Sequence, residues 1–100
     1  MTCQVDITPE AEQDIVLITS NIKLQDSPVK ARHTLFELKK QFNTLAELPD
    51  SGRVGGCDGT REIVMTSLPY IAIYEKNDDL ITIVRVLYGA EERRQSKRED

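Results

Sequence analysis

The chain has 100 residues and a formal net charge of −4, with six basic and nine acidic residues up to Gly59 and seven and eight beyond it. That length suits one domain with a single core and leaves no room for a cleft between domains, so function falls to a surface or a shallow groove. Evenly spread charge disfavours free nucleic-acid binding, no apolar run approaches the ~20 residues of a membrane span, and Met1 to Asp6 lacks a signal peptide's basic start; a cytoplasmic protein without membrane contact is expected.

Cys3-Gln4-Val5-Asp6-Ile7 alternates with period two and reads as a short, half-buried strand. Thr8 follows as a helix cap, with Pro9 at the first helical position and Glu10 in the first turn, where a missing N–H and a negative charge are best tolerated. Ala11, Ile15, Ile18 and Ile22 recur on one face of a helix that should end near Leu24. Gln25-Asp26-Ser27-Pro28 breaks it and starts a second helix, capped by Ser27, whose apolar face is Ala31, Leu35, Leu38, Phe42 and Leu45. So short a connection predicts an antiparallel helical hairpin, which Pro49 ends. Lys30, Arg32, Lys39 and Lys40 decorate its solvated side, and His33, off the apolar stripe, reads as a bystander.

The glycine-rich stretch Pro49 to Gly59 is a connector rather than a phosphate cradle, because no Gly-Lys-Ser/Thr follows and the next element is a strand. Cys3 and Cys57 have no metal-ligand spacing and no helper histidine, so reduced thiols, no metal and no cofactor are expected. From Thr60 onward three strands are separated by the turn clusters Thr66-Ser67-Leu68-Pro69 and Glu75-Lys76-Asn77-Asp78-Asp79. Whether the second loop is Asp78-Asp79 or Asn77 to Leu80, Glu75 falls opposite Thr82. An unbroken ladder then sets Ile73 against Val84 and Ile71 against Val86 on a β-branched face suited to the core. Its other face would carry Tyr74 opposite Ile83, Ala72 opposite Arg85 and Tyr70 opposite Leu87, placing an arginine between two tyrosines.

These elements predict an α+β, two-layer β-α-α-β-β-β fold over residues 1–100 as a single domain. The helical hairpin covers one face of an antiparallel meander, the first strand joins at an edge or beside a later strand, and residues 95–100 form a frayed tail. The order of elements, the Gly59-Thr60-Arg61-Glu62-Ile63-Val64 lead-in, the Pro69 to Tyr74 strand and Ile83 to Ala90 together resemble the RelE/ParE superfamily of toxins from bacterial type II toxin–antitoxin modules. The resemblance is nearer to the ParE-like group, which carries Arg-Glu-Ile-Val and Val-Arg-Val-Leu as this chain does at Arg61 to Val64 and Val84 to Leu87. It departs at Tyr88, where that group often has histidine. RelE-like members place basic residues where this chain has Glu62, Val64, Ile71 and Ala90-Glu91, so no catalytic residue is carried over.

The resemblance implies a toxin that inhibits DNA gyrase by protein contact, is neutralised by a cognate antitoxin in a hetero-oligomer, and meets DNA only through that antitoxin. The alternatives are a RelE-like endonuclease acting on messenger RNA at the ribosome, and an inactive toxin fold serving as a binding module or operon corepressor. Candidate target-binding residues are Arg61, Tyr70, Tyr74, Arg85, Tyr88, Arg93 and Arg94. Arg85 is the sharpest of them, with an ion pair to Glu62 as its competing structural role. The antitoxin is expected to bind as a disordered segment that folds into an apolar groove between hairpin and sheet.

Overall fold

A computed structural model describes residues 3–54, 59–65 and 68–89. The elements in order are β1 (Gln4–Ile7), α1 (Pro9–Gln25), α2 (Pro28–Glu47), β2 (Arg53–Val54), β3 (Arg61–Val64), β4 (Tyr70–Asn77) and β5 (Leu80–Tyr88). They form an α+β fold in which the two helices pack on a five-stranded mixed sheet of order β1-β5-β4-β3-β2. β1 takes an edge position parallel to β5, while β3, β4 and β5 form the expected antiparallel meander. β2 is an addition: Arg53 and Val54 of the connector pair with Glu62 and Arg61 and make the far edge. Cys57 lies outside the described residues and Cys3 is a free thiol.

Both helices start where their local chemistry puts them. The Thr8 hydroxyl accepts from the Ala11 N–H at 3.1 Å and Ser27 Oγ from the Lys30 N–H at 3.1 Å, each followed by proline at the first helical position. α2 buries Ala31, Leu38, Phe42 and Leu45 from the predicted stripe, together with Thr34 and Ala46. No helix among the described residues is long and apolar enough to cross a membrane. The hairpin turn is the two-residue loop Asp78-Asp79, with Asn77 opposite Leu80 and Asp78 at φ 53° in the left-handed region that aspartate tolerates.

Two sheet expectations are corrected. Glu75 opposite Thr82 and Tyr74 opposite Ile83 hold, but Ile73 pairs with Arg85, not Val84; Ala72 then faces Val86, Ile71 faces Leu87 and Tyr70 faces Tyr88. Val84 is the extra residue of a β-bulge, which slips every later pair by one. Up to the bulge the helices cover the other face: the core against them contains Ala72, Tyr74, Ile81 and Ile83, with Ala11, Leu38, Phe42 and Leu45, while the slip brings Val86 of the expected face into the same core and Ile71 is buried as expected. Ala72 and Tyr74 are therefore interior residues. Alternation defined two faces of comparable apolarity, and contact with the hairpin selected between them.

Leu38 is wholly buried at the centre of this core. Leu38→Ala should cost about 2–5 kcal/mol of stability, read as a lowered midpoint in urea or heat unfolding.

Candidate functional site

The N-terminal half of β5 is covered by β1, but β1 ends opposite Ile83, and the edge from Val84 onward needs other partners. Thr8 and Asp14 supply them. The Thr8 N–H donates to the Ile83 carbonyl at 3.0 Å and its hydroxyl to the Val84 carbonyl at 2.9 Å. Asp14, one turn into α1, accepts from Arg85 Nε at 2.7 Å, from Arg85 Nη2 at 2.9 Å and from the Val86 N–H at 3.0 Å. The bulge is thus gripped from both sides by α1 and its cap. Asp14 is nearly enclosed, with its side chain 12% exposed, whereas Arg85 is 45% exposed and presents an edge to solvent beside Pro9, Glu10, Gln13 and Leu17.

Burial alone would push the Asp14 carboxyl up, but the Arg85 guanidinium and the Val86 N–H outweigh it and hold the pKa below the ordinary 3.8. The expected stack of Arg85 between Tyr70 and Tyr74 is absent, and its structural partner is Asp14 rather than Glu62, which bonds Arg53 Nη2 at 3.2 Å. Asp14 was missed in the sequence. Its signal was there: a carboxylate flanked by Ala11, Ile15 and Ile18 on the apolar side of a helix requires a buried partner.

Tyr74 and Arg61 are joined in a second network. The Tyr74 hydroxyl, in a fully buried ring, donates to the Pro49 carbonyl at 2.9 Å and accepts from the Gly52 N–H at 3.0 Å. Arg61 Nη1 donates to the Gly52 carbonyl at 3.0 Å, and Arg61 and Lys76 both lie 3.7 Å from Asp50. A Cβ on Gly52 would fall 2.5 Å from Tyr74 Oη and 2.8 Å from the Glu62 carbonyl, so only glycine admits this close approach. The network fixes the chain between α2 and β2.

Tyr70 and Tyr88 meet at the other end of the sheet, as cross-strand partners with ring centroids 6.1 Å apart and planes at 75°. They stand between two clefts. One, of about 320 Å³, runs along α1 past Ile18, Asn21, Ile22, Gln25 and Asp26; the other, of about 270 Å³, is lined by Val64, Leu68, Pro69, Ile71 and Gly89. Burial, and then the neighbouring Tyr88, raise the pKa of Tyr70 above the usual phenol value; burial raises that of Tyr74, against the Gly52 N–H and Arg61. Neither phenol is disposed to act as a base. Arg93 and Arg94 lie outside the described residues. No group of metal-ligating side chains is assembled among the described ones.

A sequence profile described as the ParE toxin of type II toxin–antitoxin system, parDE, matches residues 5–93. The chain is 36% identical to Toxin RelE2 of Caulobacter vibrioides over 87 residues, covering 87% of this chain and 96% of that one. Among solved structures it is similar to a chain of the chromosomal ParDE TA system from P. aeruginosa, with TM-score 0.78 and 20% identity over 87% of this chain and 96% of that one. It is also similar to one of the toxin-antitoxin complex RelBE2 from Mycobacterium tuberculosis, with TM-score 0.59 and 18% identity over 88% and 99%.

Tyr74→Phe leaves the part-buried Pro49 carbonyl and the buried Gly52 N–H without their partner and should lower stability by about 1–3 kcal/mol in denaturant titration. For Asp14 the sign follows from its lowered pKa: the contribution is whole where the unfolded carboxylate is ionised and is lost as pH falls through the folded value. Asp14→Asn should therefore cost about 1–2 kcal/mol at pH 7, a figure discounted for the solvent around Arg85, and the gap to the parent should close below pH 3.8.

Proposed function

This chain belongs to the ParE toxin family and is a toxin of a type II toxin–antitoxin module; from that premise we propose that it acts by protein contact, inhibiting DNA gyrase, and is silenced by a cognate antitoxin. The observation that carries the protein-contact reading is how the sheet's cations are committed. Arg53 is paired with Glu62, Arg85 with Asp14, and Arg61 and Lys76 share Asp50, Arg61 also donating to the Gly52 carbonyl. Cleaving a phosphodiester calls for cations turned toward the phosphate and a group ready to take the 2′-hydroxyl proton. Here the cations neutralise carboxylates of their own chain, and the Tyr70 phenol at the clefts is pushed away from deprotonation.

The antitoxin reading rests on the cleft beside α1. A folding segment laid along Ile18, Asn21, Ile22 and Gln25 would meet Tyr70 and Tyr88, two aromatic anchors of the kind that dominate binding energy, next to the edge of β5 that β1 leaves uncovered. Tyr88 is 47% exposed and has surface to lose. The RelBE2 chain of like fold comes from a toxin-antitoxin complex, which supports a partner of this class. On this reading Tyr70, Tyr88 and the solvent edge of Arg85 contact partners, whereas Tyr74 and Arg61 hold the fold.

The likeness to a relative named Toxin RelE2 favours a second reading, ribosome-dependent cleavage of messenger RNA. Induced expression separates the two. Gyrase inhibition stops thymidine incorporation before methionine incorporation and blocks supercoiling by purified gyrase; early loss of methionine incorporation with cut transcripts would establish the second reading instead. Tyr88→Ala should weaken antitoxin binding at least tenfold in titration calorimetry, with the melting temperature little changed.

A further inference from the structure

Helix α2 has a second face whose apolar side chains the other described residues leave exposed. Opposite Ala31, Leu38 and Phe42, the side chains of Val29 and Phe36 are 66% and 63% exposed, well above what their burial preference leads one to expect. They stand seven residues apart, about 10.5 Å along the axis, on one line of the helix. Arg32, His33, Lys39 and Lys40 flank Phe36 within one turn on either side, and all four are exposed. Of the α2 cations only Lys30 joins an ion pair among the described residues, with Asp26. Glu47, three turns beyond Phe36, is the carboxylate that shares this line.

On a chain of net charge −4, an apolar pair flanked by Arg32, Lys39 and Lys40, with Glu37 the carboxylate next to Phe36, is a local reversal of sign. A solvated helix face has no need of phenylalanine at its middle. We propose that the outer face of α2 is a docking surface for an acidic segment of a protein partner, which sets apolar side chains against Val29 and Phe36 and carboxylates against Arg32, Lys39 and Lys40. The chemistry favours protein over nucleic acid. A phosphate backbone would answer the cations and leave Val29 uncovered, whereas a peptide with apolar residues between carboxylates satisfies both. The surface lies across the helix from the sheet, apart from the α1 cleft, so it stands independently of the antitoxin reading.

The test uses the full-length chain and an 18-residue amphipathic peptide with leucines seven apart flanked by glutamates. Its controls are a scrambled peptide of the same composition and a 20-nucleotide single-stranded DNA, all at about 150 mM salt, where exposed charges more than ~8 Å apart are largely screened. Saturable binding is expected, with amide shifts on the outer face of α2. Phe36→Ala should weaken it at least tenfold and the double variant Arg32→Glu, Lys40→Glu should abolish it, with thermal unfolding unchanged in both because these side chains are exposed. Three results would overturn the proposal: no binding at millimolar peptide, binding that is indifferent to Phe36→Ala or matched by the scrambled peptide, or binding of the DNA through this face in place of the peptide.

Discussion

The grip of Asp14 on the β5 bulge is the contact on which the arrangement of this molecule depends. One carboxylate satisfies a guanidinium through two bonds and a strand N–H through a third, at the point where β1 runs out and the sheet edge would otherwise be bare. A bare edge is costly in its unpaired backbone groups and in the pairing it invites. Thr8 acts one turn earlier on the same strand, so the cap that starts α1 also fastens α1 to the sheet. The direction of the helix, the bulge and the position of Arg85 are consequences of that shared fastening.

A second polar tie works at the opposite end. Tyr74 extends a buried ring through the core and spends its hydroxyl on the backbone of the connector, while Arg61 closes the same loop from outside. Between them the two ties use residues that elsewhere serve recognition. Arginine and tyrosine are enriched at binding sites because each combines a large apolar body with a polar end, and here those properties join helix to strand and loop to core. The Tyr70 and Tyr88 pair takes part in neither tie and stands edge to face between the two clefts.

The surfaces follow from this division. The α1 side combines the end of β5, which lies beyond the reach of β1, with a cleft of mixed polarity, a combination that a folding segment can enter through side-chain anchors and polar contacts together. The outer side of α2 is convex, cationic and aromatic. A toxin of this family that carries net negative charge cannot depend on overall charge to attract an acidic partner, so the sign of each local face becomes the discriminating feature.

Helix boundaries, caps and the β-hairpin turn were legible because each is a local decision. Thr8 and Ser27 precede proline and lie three residues before the N–H they accept, and the Asp78-Asp79 turn needs only its own backbone. The order of elements, the antiparallel meander and the buried stripe of α2 followed from periods of 3.6 and 2. The ladder could be counted correctly only as far as Tyr74 and Ile83, because the bulge after it is held by Thr8 and Asp14, which lie 76 and 71 residues away from their strand partners in sequence. Local pattern shows that Asp14, a carboxylate on an apolar helix face, needs a partner, but not which strand residue supplies it. Nor does alternation state which of two apolar faces the helices will cover; Tyr74 went inward because its hydroxyl finds Pro49 and Gly52 there, a pairing that exists only once the connector has returned across the sheet.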